Sequence, residues 1–287
     1  MTIMKPEIIV LGHSGFIGKA LCDQLNIADI AFQGISSSDI DLRKSESITA
    51  LNQRFTKNTV LIFSAAIIRQ KGDNLETLQD NIKMAINVAK SLENHPIDKC
   101  IYLSTADVYG HPDSLLISEN TPINPLTNYA SAKWLSESLM ESVCLKTHTP
   151  SLTLRYSGIF GPGQRQPRYG PNSFIDSVIK KENVNLWGDG EELRDMVYVK
   201  DLAKIIVQLS QNNIQGILNI ATGKSTTFQQ TAEMICQLMP YQCKIIHRER
   251  NGPKFDQVFD ISKLKQSLPN LCFTPLNQAF REMLYIN

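Results

Sequence analysis

The sequence predicts an α/β protein, a doubly wound parallel sheet with a smaller, discontinuous C-terminal lobe. Three observations predict it. Apolar runs of strand length alternate with helical patterns up to Phe160, a glycine-rich turn sits at the first strand-to-helix junction, and the alternation breaks at a Gly/Pro/Arg-rich stretch after Phe160. Such alternation, with β-rich apolar runs, is the pattern of a parallel sheet covered on both faces.

"EIIVLG" reads as the first strand, followed by a helix from about Phe16 to Leu25. "AFQGIS" is a short second strand, and a helical segment follows near residues 45–54. "TVLIFSAA", the helix "LQDNIKMAINVAKSL", the strand "KCIYLSTA", the helix "NYASAKWLSESLMESVC" and the strand "SLTLRYSGIF" continue the series. "GPGQRQPRYGPNS" then reads as loop. Beyond it come the helix "SFIDSVIKK", short strands "VNLWG" and "DMVYV", a helix from Asp201, the strand "ILNIA", and helices near 228–239 and 275–285. The expected division is a core domain over 1–165 plus about 196–222, and a second lobe over about 166–195 and 223–287.

A chain of 287 residues fits one large α/β domain, or a core with a smaller attached one. Its 29 basic and 28 acidic side chains nearly cancel, so no whole-chain field favours nucleic acid or an anionic membrane. The six cysteines (22, 100, 144, 236, 243, 272) have no metal-site spacing and the five histidines form no cluster, so no metal is expected. The N-terminus lacks a basic n-region, and the longest apolar stretch, around "LIFSAAII", falls far short of a membrane span. These features read as a reduced, soluble, cytoplasmic protein.

Gly12, Gly15 and Gly18 lie directly between the first strand and its helix. Glycines there permit a tight turn and let a pyrophosphate approach the amides at the helix N-terminus, so the core domain is expected to bind a dinucleotide. The spacing is Gly-x-x-Gly-x-x-Gly. Read as a nucleoside-triphosphate loop, "GHSGFIGK" has one residue too many before Gly18-Lys19, and Ala20 stands where a magnesium-binding hydroxyl belongs. "TGKST" at 222–226 lacks the upstream glycine, so a phosphotransferase reading fails twice.

"NYASAKWLSESL" places Tyr129 and Lys133 one helical turn apart, on a face kept open by Ala130, Ser131 and Ala132. Alone, the pair reads equally as a surface tyrosine with a lysine nearby. Its company decides. "GHSGFIG", "FSAA", Asn81 in "DNIKMAINVAK", "STADVYG", "YASAK", "LRYSGIFGPG" and "RDMVYVKD", in this order, resemble the extended branch of the short-chain dehydrogenase/reductase superfamily over essentially the whole chain. That branch contains nucleotide-sugar epimerases, dehydratases and ketoreductases.

The resemblance implies a Rossmann-like domain binding NAD(P) through Gly12, Ser14, Gly15, Phe16, Ile17 and Gly18, through Ser36, Ser37, Asp41 and Leu42, and through Ala65, Ala66, Asn81, Tyr129 and Lys133. It implies that Tyr129 exchanges a proton with a sugar hydroxyl or carbonyl while a hydride moves at the same carbon. A free phenol has a pKa of about 10 and a neighbouring cation lowers it, so Lys133 is expected to tune Tyr129, and by resemblance to hold the nicotinamide ribose. Thr105, with Ser104 as second candidate, is expected to bond the reacting oxygen. The structural alternatives are a buried strand-end hydroxyl for Thr105 and a capping or packing role for Asn81.

Asp107, Arg194 and Arg250 are the remaining implied substrate contacts, the arginines because a planar guanidinium binds diphosphate oxygens in pairs. Arg165 and Arg168 stay open between that role and a solvated one, and Arg155 is expected to be structural. NAD-preferring members carry an acid at the end of the second strand. Here that place falls on Ser36, with Arg43 and Lys44 close behind, so NADP is expected in preference to NAD.

Gly158 stands where many nucleotide-sugar epimerases carry an asparagine. Ala106-Asp107 replaces the Asp-Glu of 4,6-dehydratases, and Asp107 replaces the cysteine of GDP-fucose synthases. Hydride exchange at one carbon, C4 of a hexose, is what remains. The first expectation is an NADPH-dependent 4-ketoreductase of a nucleotide-diphosphate 4-keto-6-deoxyhexose. The alternatives are a 4-epimerase with retained NAD, and a non-catalytic dinucleotide sensor, against which intact Thr105, Tyr129 and Lys133 argue. The resemblance also implies a homodimer through helices 80–92 and 129–145, whose apolar residues outnumber what one sheet face needs.

Overall fold

The structure, a computed structural model, describes residues 7–164, 170–250 and 252–285, with the side chain of Gln70 outside the description. Along the chain, β1 (Glu7–Leu11), α1 (Phe16–Ile27), β2 (Phe32–Ile35), α2 (Glu46–Asn52), β3 (Thr59–Phe63) and α3 (Leu75–Asn94) come first. β4 (Lys99–Leu103), β5 (Leu116–Ile117), α4 (Asn128–Lys146), β6 (Ser151–Tyr156), β7 (Gly158–Phe160) and α5 (Gly170–Ile179) follow. Then come β8 (Val184–Trp187), β9 (Leu193–Tyr198), α6 (Val199–Ser210), β10 (Gly216–Ile220), β11 (Ser225–Thr227) and α7 (Phe228–Gln237). β12 (Ile245–Arg248), β13 (Val258–Phe259), α8 (Ser262–Ser267) and α9 (Leu276–Tyr285) end the series.

Six strands form one sheet in the order β10-β6-β4-β3-β1-β2. Its pairings β1–β2, β1–β3, β3–β4 and β4–β6 are parallel. Every residue of β3 and β4 is buried, which is why these strands read as continuous apolar runs without alternation. Strand order reverses between β1 and β3, and ligands of such sheets bind beyond the C-terminal strand ends at that switch.

The chain divides into two compact units, the first built from 1–110, 122–156 and 202–218, the second from 111–121, 157–201 and 219–287. These boundaries differ from those read in the sequence. Residues 111–121 go to the second unit, and the first unit's second stretch ends at Tyr156 instead of 165. "SLTLRYSGIF", read as one strand, is two: β6 pairs with β4, while β7 pairs with β9 in the second unit. An apolar run does not disclose its hydrogen-bonding partner. The core of the first unit gathers Ile9, Leu61, Val88, Leu92 and Met140 among others, and that of the second Phe160, Val178, Leu186, Ile235 and Phe280.

In the second unit the "TGKST" turn closes around the protein's own carboxylate. Asp195, wholly buried, accepts hydrogen bonds from the Thr222 amide (2.8 Å), the Thr222 hydroxyl (2.9 Å) and the Gly223 amide (2.8 Å). These donors belong to an internal acid, consistent with rejecting the segment as a phosphate loop.

Candidate active site

The first loop is shaped by close approach. Gly12 has φ +87°, and a Cβ there would lie 2.7 Å from the Ala65 backbone. A Cβ on Gly18 would lie 2.1 Å from the Gly12 carbonyl oxygen. Side chains are excluded at both, so the chain folds tightly onto itself before α1. No side chain caps the start of α1 and its first turn carries no acid, which leaves amide donors suited to an anion. Ser14 and Gly15 are exposed, Phe16 and Ile17 half-buried. This cradle fits a dinucleotide pyrophosphate.

The tip of β2 corrects one expectation. Ser36 donates from its amide (2.8 Å) and its hydroxyl (2.6 Å) to the carboxylate of Asp39, and its hydroxyl also meets Ser38 at 2.7 Å. Those two bonds hold the Asp39 carboxyl below the usual range. A carboxylate therefore stands at the second-strand tip, returned there by a turn that positional counting does not see. Arg43 is taken as well. It grips Asp41 through Nε (2.9 Å) and Nη2 (2.8 Å) and meets Asp80 at 3.5 Å, holding the Asp41 carboxyl down at about 2. Ser37 is exposed and Leu42 is buried in the core.

Asn81 spends its amide on the loop after β3, accepting from the Ile67 amide (2.8 Å) and donating to the carbonyls of Ile67 (3.0 Å) and Thr77 (2.9 Å). It braces the segment that carries Ala65 and Ala66. The structural reading fits it better than direct cofactor contact.

β4 delivers Ser104 and Thr105 at its C-terminal end. The Ser104 hydroxyl is buried without a partner, and the Thr105 hydroxyl accepts from the Asp107 amide at 3.2 Å. Lys133 extends from α4 to the Leu103 carbonyl, with its Nζ 4.2 Å from the Tyr102 ring centroid. Burial brings Lys133 down to about 7, opposed by the carboxylate of Glu137 one turn on.

Tyr129 is pushed well above the usual phenol value by burial first, then by the fields of Tyr156 and Asp107 and a hydrogen bond with Tyr156. Tyr156 is raised to about 12 by burial, while that same bond pulls it down. The polar neighbour of the Tyr129 phenol is thus another phenol, and the Lys133 ammonium lies on a carbonyl instead. Sequence reasoning passed over Tyr156. Its signal was the position at the C-terminal end of β6, in register beside the end of β4, in "LRYSG". Thr105, Ser104, Asp107, Tyr129 and Lys133 all belong to the first unit.

Arg194 and Arg250 belong to the second unit. Arg194 donates to the carbonyls of Leu193 (2.9 Å) and Phe255 (2.7 Å), and its guanidinium stacks on Phe255 at 4.4 Å and Phe228 at 5.1 Å. Arg250 pairs with Asp189 at 2.8 Å and with Glu192. Arg165 and Arg168 lie outside the described residues. Among the described residues no helix is long and apolar enough to cross a membrane, and no cluster of three His, Cys, Asp or Glu could hold a metal.

Residues 8–221 match the family described as NAD dependent epimerase/dehydratase. A Methanocaldococcus jannaschii protein provisionally named a UDP-glucose 4-epimerase is 29% identical over 281 residues, spanning 89% of this chain and 90% of that one. The structure of a UDP-N-acetylglucosamine 4-epimerase from Methanobrevibacter ruminantium, in complex with UDP-N-acetylmuramic acid, is 25% identical, with TM-score 0.82 and 98% of both chains covered. The fold is shared with RMD of Pseudomonas aeruginosa complexed with NADPH, at TM-score 0.87 and 20% identity over 98% of both chains.

Proposed function

The chain belongs to the NAD dependent epimerase/dehydratase family, and on that premise we propose that it is a nucleotide-diphosphate-sugar 4-epimerase keeping one NAD through its cycle. It is an NAD(P)-dependent nucleotide-sugar enzyme. The observation carrying the finer reading is the Asp39 carboxylate on Ser36. A carboxylate there accepts hydrogen bonds from a free ribose diol and repels a 2′-phosphate. Arg43, which the sequence offered for a 2′-phosphate, is already paired with Asp41 and Asp80. The ketoreductase expected from the sequence rested on an acid-free strand tip, and Asp39 removes that support. The names of the two relatives point the same way.

When bound, NAD would accept a hydride from C4 of the hexose and return it to the opposite face. The chain's own residues do the rest. The amides at the start of α1 hold the pyrophosphate, and Asp39 with Ser36 holds the adenosine ribose. Lys133, whose Nζ donates to the Leu103 carbonyl, would hold the nicotinamide ribose. Tyr129 takes the C4 hydroxyl proton and later gives it back, the hydroxyl of Thr105 holds the same oxygen, and the Tyr129–Tyr156 bond, which raises Tyr129 and lowers Tyr156, lets Tyr156 carry the charge when the pair loses a proton. Ser104 and Asp107, beside Thr105 at the end of β4, are assigned to the substrate. Arg194 and Arg250 are assigned to the diphosphate.

The test uses the purified protein with UDP-glucose and UDP-N-acetylglucosamine and no added cofactor. The reading expects interconversion of the C4 epimers, seen by NMR, and NAD released from the denatured protein. Consumption of NADPH one-to-one with a 4-keto sugar, without epimerisation, overturns it.

A further inference from the structure

The acid–base helix α4 is held at its start by a residue from far away in the chain. The Tyr129 amide donates to the carboxylate of Asp73 at 3.0 Å, and the Asn128 side chain donates to the Asp73 carbonyl at 3.2 Å. The other Asp73 oxygen faces Arg69 at 3.7 Å. A second acceptor, the Thr127 hydroxyl, takes the Ala130 amide at 3.1 Å. The two caps differ in kind. Thr127 is local and is present whenever the helix forms, whereas Asp73 arrives from 56 residues earlier and so carries positional information. A carboxylate at the positive end of a 19-residue helix is electrostatically well placed.

Asp73 ends the loop that leaves β3. That loop starts with the Ser64 amide on the Leu11 carbonyl (2.9 Å), passes Ala65 against Gly12, and is gripped at Ile67 by Asn81. One short segment therefore runs from the glycine loop to the backbone of Tyr129. We propose that Asp73 is a positioning residue for Tyr129, registering the acid–base phenol against the glycine loop, so that a dinucleotide seated on that loop is felt at the start of α4. The role of the phenol rests on the epimerase reading; the mechanical link does not.

The experiment compares wild type, Asp73→Ala and Asp73→Asn, each with and without NAD. Hydrogen exchange over 127–133 and steady-state turnover of UDP-glucose are both measured. Asp73→Ala speeds exchange at the start of α4 by about tenfold and abolishes its slowing by NAD, the scale of a lost helix cap. Its kcat falls by about tenfold or more while KM and the NAD dissociation constant stay within about threefold. Asp73→Asn, which keeps an acceptor oxygen, restores both. An Asp73→Ala protein that exchanges and turns over like wild type overturns the proposal. So does one that loses kcat, NAD affinity and melting temperature together without rescue by asparagine, since that marks a purely structural staple. Should wild type epimerise no nucleotide sugar, the epimerase reading fails alone and the exchange arm still decides the link.

Discussion

Arg155 and Glu137 form an ion pair at 2.7 Å with their side chains only 5% and 6% exposed, and the same guanidinium donates to the Tyr109 hydroxyl at 3.1 Å. Glu137 sits one turn past Lys133 and its field opposes the loss of the lysine proton. Breaking such a pair from one side leaves a buried charge without a partner. Glu137→Gln is expected to cost about 3–5 kcal/mol. Urea unfolding measures it, and Glu137→Leu with Arg155→Leu should recover much of the loss.

Tyr129→Phe removes the group proposed to take and return the C4 proton. Turnover should drop by roughly two orders of magnitude or more with the fold retained. Circular dichroism and an NAD binding isotherm check the second part. Activity near that of wild type would take Tyr129 out of the chemistry.

Asp39→Ala leaves Ser36 without its carboxylate and the β2 tip without the charge that repels a 2′-phosphate. Preference should move from NAD toward NADP by roughly 1–3 kcal/mol, the range of a charge-assisted hydrogen bond. The observable is the ratio of the two dissociation constants in wild type and variant.

Lys99 is buried at the start of β4, and its Nζ donates to the carbonyls of Leu209 and Asn212, each at 2.7 Å, at the end of α6. Burial lowers it from 10.5 to about 8. Between those values the unfolded chain binds a proton that the folded chain has released, so stability contributed by this group rises with pH there and is least below pH 8. Comparing wild type with Lys99→Met cancels the tyrosines that titrate nearby. The stability difference in favour of wild type should grow from pH 8 to 10.

Leu75 and Ile86 on α3, and Trp134, Leu135 and Leu145 on α4, are apolar side chains left in solvent on two helices that pack together. All but Leu75 lie within the two helices, 80–92 and 129–145, on which the sequence reading placed an apolar surplus, and a homodimer through them is expected. Light scattering should return twice the chain mass at micromolar concentration. Leu135→Glu with Leu145→Glu should return the monomer mass.

The sheet was legible because β1, β3 and β4 are buried on both faces and write that burial as unbroken apolar runs. Short strands such as β5, β11 and β13 are two or three residues long, below any periodic signal. Tyr129 and Lys133 were legible because a helix converts spacing of four into a shared face. Asp39 was not, since a turn and not a count brings it back to Ser36. Tyr156 and Asp73 were missed for a related reason. Their partners lie 27 and 56 residues away in sequence, and only the fold makes them neighbours.

The carboxylate enclosed by residues 222–223 has a consequence for the arginine beside it. Asp195 anchors the backbone immediately after Arg194 with three hydrogen bonds in a place water does not reach. Arg250, in contrast, is held by ion pairs with Asp189 and Glu192, the first of these largely open to solvent. Added salt screens exposed pairs and leaves buried hydrogen bonds almost untouched. Ionic strength should therefore release Arg250 from Asp189 while the buried Glu192 still holds it, and leave Arg194 in place, so sodium chloride alone removes one of the two carboxylates that compete for Arg250.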